Sequence, residues 1–463
     1  MNPDRPEPAS SSPATPEDGS LPRTAGLRTI AARLTGVRPA EAGIVLLSAA
    51  YFFCVLSAYY VIRPIRETLG VAGGVGDLKW LFTGTLLAML VAHPIFAALV
   101  ARLPRRKFVT VAYRFFMGCL VGFWALLWAT PEGTDASLWI GRAFFVWTSV
   151  FNLFVVSVFW SFMTDIHRER RSRRLFGLIG VGGTLGAILG SSIAATLADQ
   201  IFPAALLWFS VALLECAVAC VRALERRVGG GDGARDRGEQ REELDPASLA
   251  SPDAGAIIGG SPLEGIGRVA RSPYLLGICA FMLLFTVGST FLYNIQAEIV
   301  SSAVATSSGR TLVFARIDLA VNTLTLMTQL LLTGRIIGRL GVGPTLAILP
   351  LVSIAGFLAL GALPALAVFV AFQVLRRSAN FGLANPAREV LYTVLPRRDK
   401  YKAKNFNDTF VYRAGDQIGA WSFAGLRAAG LGTAAMAWTM VPVAGTWLLV
   451  ALWLGRRQRE MAA

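Results

Sequence analysis

Arginine carries most of the chemistry this sequence offers. In "VIRPIRETL", Val61 to Leu69, Arg63 and Arg66 stand three residues apart, with Pro64 between them and Glu67 alongside. The same theme recurs inside other apolar stretches: Arg316 with Asp318, Arg376 with Arg377, and Arg413 with Asp416; Asn152 is the main polar residue of another. A guanidinium is a planar fork of donors that grips a carboxylate or phosphate through two parallel hydrogen bonds. Arginines outnumber acids here, which suits holding an anionic solute. The architectural alternative is a set of buried pairs, Arg316 with Asp318 or Glu298, and Arg413 with Asp416, the latter sharing a helix face at i,i+3 spacing.

Catalytic chemistry has little to work with. No GxxxxGK[ST] loop occurs, the only histidines are His93 and His167, and there is no HExxH. Cys54, Cys119, Cys216, Cys220 and Cys279 form no CxxC pair and lie within or near the ends of apolar runs. A lone Asp408 in "NFNDTF" is too little for a metal-dependent transferase acting on a lipid or prenyl substrate. The expectation is a protein that is not an enzyme and that carries no metal or cofactor.

The elements that position these arginines follow from composition. Of 463 residues 54% are hydrophobic and 16% charged, with a mean hydropathy of +0.55; only a membrane protein shows such a balance. Crossing a hydrocarbon layer of ~30 Å takes about 20 residues, and about twelve stretches qualify: 43–62, 79–101, 108–130, 138–163, 174–198 and 201–222, then 272–296, 311–333, 342–361, 363–384, 406–428 and 432–454. The net charge of +15 is concentrated in short loops after even-numbered spans, "RLPRRK", "HRERRSRR", Arg335 with Arg339, "RRDKYKAK" and "GRRQRE". By the positive-inside rule both termini are cytoplasmic, and the basic excess needs no nucleic-acid partner.

The chain therefore divides into a disordered cytoplasmic tail (1–40), a six-helix half (41–224), a Gly-rich charged linker (225–270), a second six-helix half (271–455) and a short tail (456–463). Six spans, a linker and six more of matching polarity resemble the major facilitator layout, two parallel repeats enclosing a midplane site. The expected fold class is all-α integral membrane, with about twelve transmembrane helices in two six-helix halves. Gly182, Gly186 and Gly190 in "GLIGVGGTLGAILG" put a flat face on one helix for close packing. Asp165 with Arg173 or Arg174 is a candidate gate, and Arg114 and Glu215 are candidate structural or gate residues. Pro64 is expected to break the first helix, leaving Arg63 to Glu67 on its non-cytoplasmic end, the outer lip of an anion pathway.

"VIRPIRETL", "FWSF" (Phe159 to Phe162), "RRLFGLIG" (Arg173 to Gly180) and "REVLYTVLPRRDKYKAKNFNDTFVYRAGDQIG" (Arg388 to Gly419) resemble motifs of the ATP/ADP translocase family of nucleotide transporters. The resemblance spans both halves and implies a divergent bacterial member. Thr148 or Ser149, the stretch Ser289 to Tyr293, and Asp416 stand where that family carries other charges, Asp416 being a charge reversal.

Together these features lead to the expectation of a secondary transporter of the bacterial inner membrane, working by alternating access as a monomer on a small anionic solute. ATP/ADP exchange is the leading candidate; a different anionic metabolite with proton coupling, at Asp416 or Asp318, is the alternative, and a non-transporting scaffold or receptor the rival class. The substrate-binding set is Arg63, Arg66, Glu67, Asn152, Arg316, Asp318, Arg376, Arg413 and Asp416.

Overall fold

The computed structural model describes residues 39–102, 105–166, 169–230, 271–395, 403–404 and 406–462. Twelve helices fill them, and no strand occurs among the described residues. The first half comprises α1 (Pro39–Ala72), α2 (Val75–Arg102), α3 (Arg105–Ala129), α4 (Asp135–Ile166), α5 (Glu169–Leu197) and α6 (Leu207–Gly230). The second comprises α7 (Pro273–Ala303), α8 (Ser307–Leu340), α9 (Val342–Ala362), α10 (366–391), α11 (407–428) and α12 (Thr433–Ala462). Nine of them are long and apolar enough, as described, to cross a membrane. α10 and α11, which are not among those nine, carry the arginine clusters and a π-helical turn each, Asn380–Ala384 and Asn407–Val411. α8 has a third, Gln329–Thr333. The N-terminal tail, most of the linker, and most of the "HRERRSRR" and "RRDKYKAK" loops lie outside the described residues or their described side chains, as do Asp165, Arg173 and Arg174.

Short turns force successive helices to run antiparallel. Between α8 and α9 a single residue, Gly341, makes the turn at φ 81° and ψ 178°, backbone angles open essentially to glycine. With twelve passes the described chain begins and ends on one face, called here the terminal face; α1 ends and α2 begins on the opposite face.

α1 is the central strut of the first half. It spans 34 residues, about 51 Å at 1.5 Å per residue. Gly182, Gly186 and Gly190 of α5 lie against the backbone of Ala49, Phe53 and Ser57, so closely that a methyl group on any of them would overlap a carbonyl oxygen. Ser57 Oγ donates to the Gly186 carbonyl at 2.9 Å. The glycine face thus serves close packing.

One correction concerns Pro64. α1 does not break there: the helix continues to Ala72 with Pro64 inside it. Thr68 Oγ1 donates to the Pro64 carbonyl at 3.0 Å, tying together the turn after the proline. Arg63 therefore stands nine residues, about 14 Å, inside the helix end, rather than on an outer lip. An α-helix can absorb a proline where its neighbours brace the turn, and here α4, α5, α6 and α8 pack around α1.

Three apolar clusters hold the bundle. One is confined to the first half, around Tyr51, Phe144, Phe151 and Phe159. Another is confined to the second, around Tyr274, Phe281, Tyr392 and Trp447. The third joins the halves, packing Val71, Leu78, Leu81 and Phe145 against Phe291, Ile295, Phe314 and Phe372. Polar and aromatic contacts reinforce that seam: Thr68 with Thr311 at 2.9 Å, Thr83 with Gln417 at 3.0 Å, Asn322 with Ser191 at 3.2 Å, and Trp80 edge-on to Trp421 at 5.2 Å. All of these lie on the side nearer the opposite face, so the halves are closed there.

Candidate functional site

Between the halves lies a cavity of about 520 Å³, within the ~300–1,000 Å³ range of small-molecule sites. α1, α2 and α4 supply one wall; α7, α10 and α11 supply the other.

Its closed end is built on α1. Arg63 Nη1 lies 3.0 Å from Asp318 Oδ1 on α8, and Arg377 Nη1 of α10 lies 2.7 Å from the same oxygen. One buried carboxylate thus holds two guanidinium groups from opposite halves. A turn further along α1, Arg66 Nη1 donates to Glu67 Oε1 at 2.8 Å and Nη2 to Ser149 Oγ at 3.2 Å. Its guanidinium lies 3.8 Å from the ring centroid of Phe145, close enough for a cation–π contact. Glu67 Oε1 is also 3.9 Å from Arg63 Nε.

The other wall carries Arg376, Arg388 and Arg413. Arg413 Nη1 lies 3.1 Å from Asp416 Oδ2, and Thr290 Oγ1 donates to the other carboxylate oxygen at 3.2 Å. Arg388 reaches Asp408 at 3.9 Å. Arg376 differs. It is 4% exposed, donates to Ser289 Oγ at 2.7 Å and to the Phe285 carbonyl at 3.3 Å, and has no carboxylate partner among the described residues; its Nε is buried without an acceptor.

Six arginines thus line the cavity against three acids, Glu67, Asp408 and Asp416, with Asp318 behind the wall. A buried charge is costly unless paired. An arrangement with surplus guanidinium groups is therefore stabilised by an anion entering it. Tyr59, Phe82, Phe285, Tyr293 and Tyr412 add flat aromatic walls between the charges. Among the described residues no group of His, Cys, Asp and Glu could hold a metal ion.

Most of the residues singled out in the sequence converge. Arg63, Arg66, Glu67, Asn152, Arg376, Arg413 and Asp416 line the cavity, and Asp318 lies directly behind it. Arg316 does not belong with them. It is exposed and lines no part of the cavity, because residues two apart on a helix point in nearly opposite directions; Asp318 faces inward, so Arg316 must face out. The pairing of Arg316 with Asp318 fails for the same reason, and Glu298 instead meets Arg427 at 3.2 Å and Thr433 at 2.6 Å. Arg114 and Glu215 pair at 3.2 Å on the bundle surface, within one half, which makes them a link between α3 and α6.

Two further arginines, Arg377 and Arg388, line the cavity without standing in the substrate-binding set read from sequence. Arg377 comes directly after Arg376 and turns 100° from it, so the two neighbours serve different partners. Arg388 lies beyond residue 384, where apolar character ends in the sequence; the helix continues through its π turn to Leu391. Of the positions that depart from the translocase pattern, Ser289, Tyr293 and Asp416 line the cavity; of the two candidates on α4, Ser149 lines it and accepts from Arg66, whereas Thr148 is buried with its hydroxyl donated to the Phe144 carbonyl at 2.8 Å.

The sequence model of the Major Facilitator Superfamily matches residues 42–401. The chain belongs to that superfamily. Solved superfamily transporters share its fold. A bacterial homolog of the human lysosomal transporter Spinster, inward-facing and unoccupied, has a TM-score of 0.54 at 13% identity, over 91% of this chain and 99% of that one. The xylose transporter XylE from E. coli, inward open, gives 0.58 at 13% identity, over 89% and 95%. The nucleoside transporter NupG gives 0.56 at 11%, over 90% and 99%. No curated protein matches. As a superfamily member the chain is a multi-pass membrane protein, and its membership indicates a secondary transporter rather than an enzyme. The cavity occupies the place between the halves where such a fold carries its solute.

Proposed function

We propose that this protein moves a small anionic solute bearing phosphate or carboxylate groups, by alternating access through the arginine-lined cavity. The observation that carries the reading is Arg376: a buried guanidinium facing the cavity with only a hydroxyl and a carbonyl as acceptors. Arg63, Arg66 and Arg413, each already held by a carboxylate, would release part of that pairing to a bound anion, and Asn152 would add a neutral polar contact. Asp318 would act indirectly, through Arg63 and Arg377.

Within this class, exchange of ATP for ADP is the leading substrate assignment. The motif resemblance, the aromatic walls, which suit a base, and a volume of 520 Å³ support it. The assignment of a different anionic metabolite with proton coupling draws support from Asp416, which reverses the charge expected at its position and sits on the cavity wall. The basic loops favour placement in a bacterial inner membrane with both termini cytoplasmic, so that the cavity in this conformation would be reached from the cytoplasm.

Purified protein reconstituted in liposomes and preloaded with unlabelled nucleotide should take up labelled ATP. Competition by ADP, phosphate esters and dicarboxylates would rank the substrates. Arg376→Gln should lower exchange at least tenfold while leaving the folded protein monodisperse. No counter-exchange of ATP would remove the nucleotide, and no exchange of any anion in the panel, with Arg376→Gln matching wild type, would remove the anion reading.

A further inference from the structure

A cavity larger than the arginine-lined one lies elsewhere among the described residues. Between α2 and α4, on the flank of the first half, runs a groove of about 940 Å³. Its walls are apolar, with Val91, Val146 and Val150 among them, and its polar lining is Asp77 and Arg142 together with the indoles of Trp80, Trp139 and Trp147. Asp77 and Arg142 are paired by a short hydrogen bond, with side chains 30% and 28% exposed, so each retains room for a second partner. The Arg142 guanidinium lies 4.5 Å from the ring centroid of Trp139. Trp139 and Trp80 are themselves 67% and 59% exposed.

Position decides what such a groove can hold. Asp77 and Arg142 lie two and seven residues from the starts of α2 and α4, within about 10 Å of the opposite face. Exposed tryptophans at that depth mark the boundary between headgroups and hydrocarbon. From Asp77 to Ala92 the groove follows fifteen residues of α2, about 22 Å of rise, which exceeds the ~15 Å depth of one leaflet's hydrocarbon. A water-soluble solute would not fill a slot walled by hydrocarbon. An acyl chain would, and its headgroup would then lie at the ion pair.

We infer that the α2–α4 groove is a binding site for one phospholipid with a zwitterionic phosphoethanolamine headgroup. The phosphate would lie against Arg142, which offers donors in a fixed fork, and the ammonium against Asp77, with the indoles beside it. A side-by-side cation and anion complement a headgroup carrying both charges. An anionic headgroup would meet Arg142 but be repelled by Asp77. Because Trp80 also touches Trp421 across the seam between the halves, an occupant of this groove lies next to the closed side of the cavity.

The test is native mass spectrometry on the full chain, incubated with vesicles of equal phosphatidylethanolamine and phosphatidylglycerol before extraction into detergent. Wild type should retain one phosphatidylethanolamine with roughly tenfold preference. The double variant Asp77→Asn with Arg142→Gln, which removes both charges together and strands neither, should lose the preference while remaining folded and monodisperse. Ala143→Trp, which adds bulk to an exposed groove position, should lose bound lipid of either kind. Equal retention of the two lipids by wild type would overturn the headgroup assignment. Unchanged lipid binding in Ala143→Trp, or a stable lipid-free dimer, would overturn the groove as a lipid site.

Discussion

Asp318 shows how few residues hold the closed end of the cavity. It is 2% exposed and one of its oxygens accepts from both Arg63 and Arg377. Removing one partner of a buried pair leaves uncompensated charge and costs about 3–5 kcal/mol, far more than an exposed pair contributes. Asp318→Asn is therefore expected to lower thermal stability in detergent by several degrees. Asp318→Asn combined with Arg377→Gln should recover most of the loss, since Arg63 keeps Glu67. A double variant no more stable than the single one would show that charge pairing is not what the aspartate supplies. Arg316→Gln, on the exposed face of α8, should leave both stability and exchange at wild-type levels.

At the scale of the element, the helices of this bundle differ in what keeps them together. α1 meets α5 through bare backbone at three glycines, whereas α10 and α11 bring charge into the bundle and each has a π turn beside the cavity. A π turn adds a residue to one turn of helix and rotates the remainder of the helix, which is how it can aim side chains that an even helix would turn away; Asn380, Phe381 and Asn385 of α10 line the cavity around such a turn. Gly186→Leu should destabilise the protein by about 1–3 kcal/mol through overpacking, because the added side chain meets the Phe53 carbonyl. Gly180→Ala, on the same helix with open space around it, should be close to neutral. Equal effects at the two positions, read as shifts in thermal denaturation, would contradict close α1–α5 packing.

For the whole molecule, the distribution of contacts between halves defines the conformation. The halves meet through an apolar cluster and polar contacts near the opposite face, with the cavity on the other side of that seam. Alternating access requires the seam to part. Thr68→Cys with Thr311→Cys, in a background whose five native cysteines are replaced by alanine, places two sulfurs where the two γ-hydroxyls now meet at 2.9 Å. Oxidative cross-linking should stop solute exchange in liposomes, and reduction should restore it. Continued exchange under complete cross-linking would refute rocking of the halves as the transport step.

Hydrophobic run length alone made the twelve-helix plan legible, since a bilayer demands ~20 apolar residues per crossing and little else in a sequence has that pattern. Ionisable residues inside those runs stood out for the same reason, being costly there, and seven of the nine residues singled out line one cavity. The pairing of Arg413 with Asp416 was legible from its i,i+3 spacing, but partners distant in sequence were not. Arg63 finds Asp318 across 255 positions of chain, and two adjacent arginines of α10 divide between Asp318 and Ser289, because helix rotation and packing decide which side chains converge. The sequence by itself thus determined the solvent each segment lives in and the charges it carries inward. Only the tertiary structure decided that α1 passes unbroken through Pro64, that Arg316 faces out, and that Arg376 is left facing the cavity without a counter-charge, since each depends on the neighbours that surround a helix rather than on its own residues.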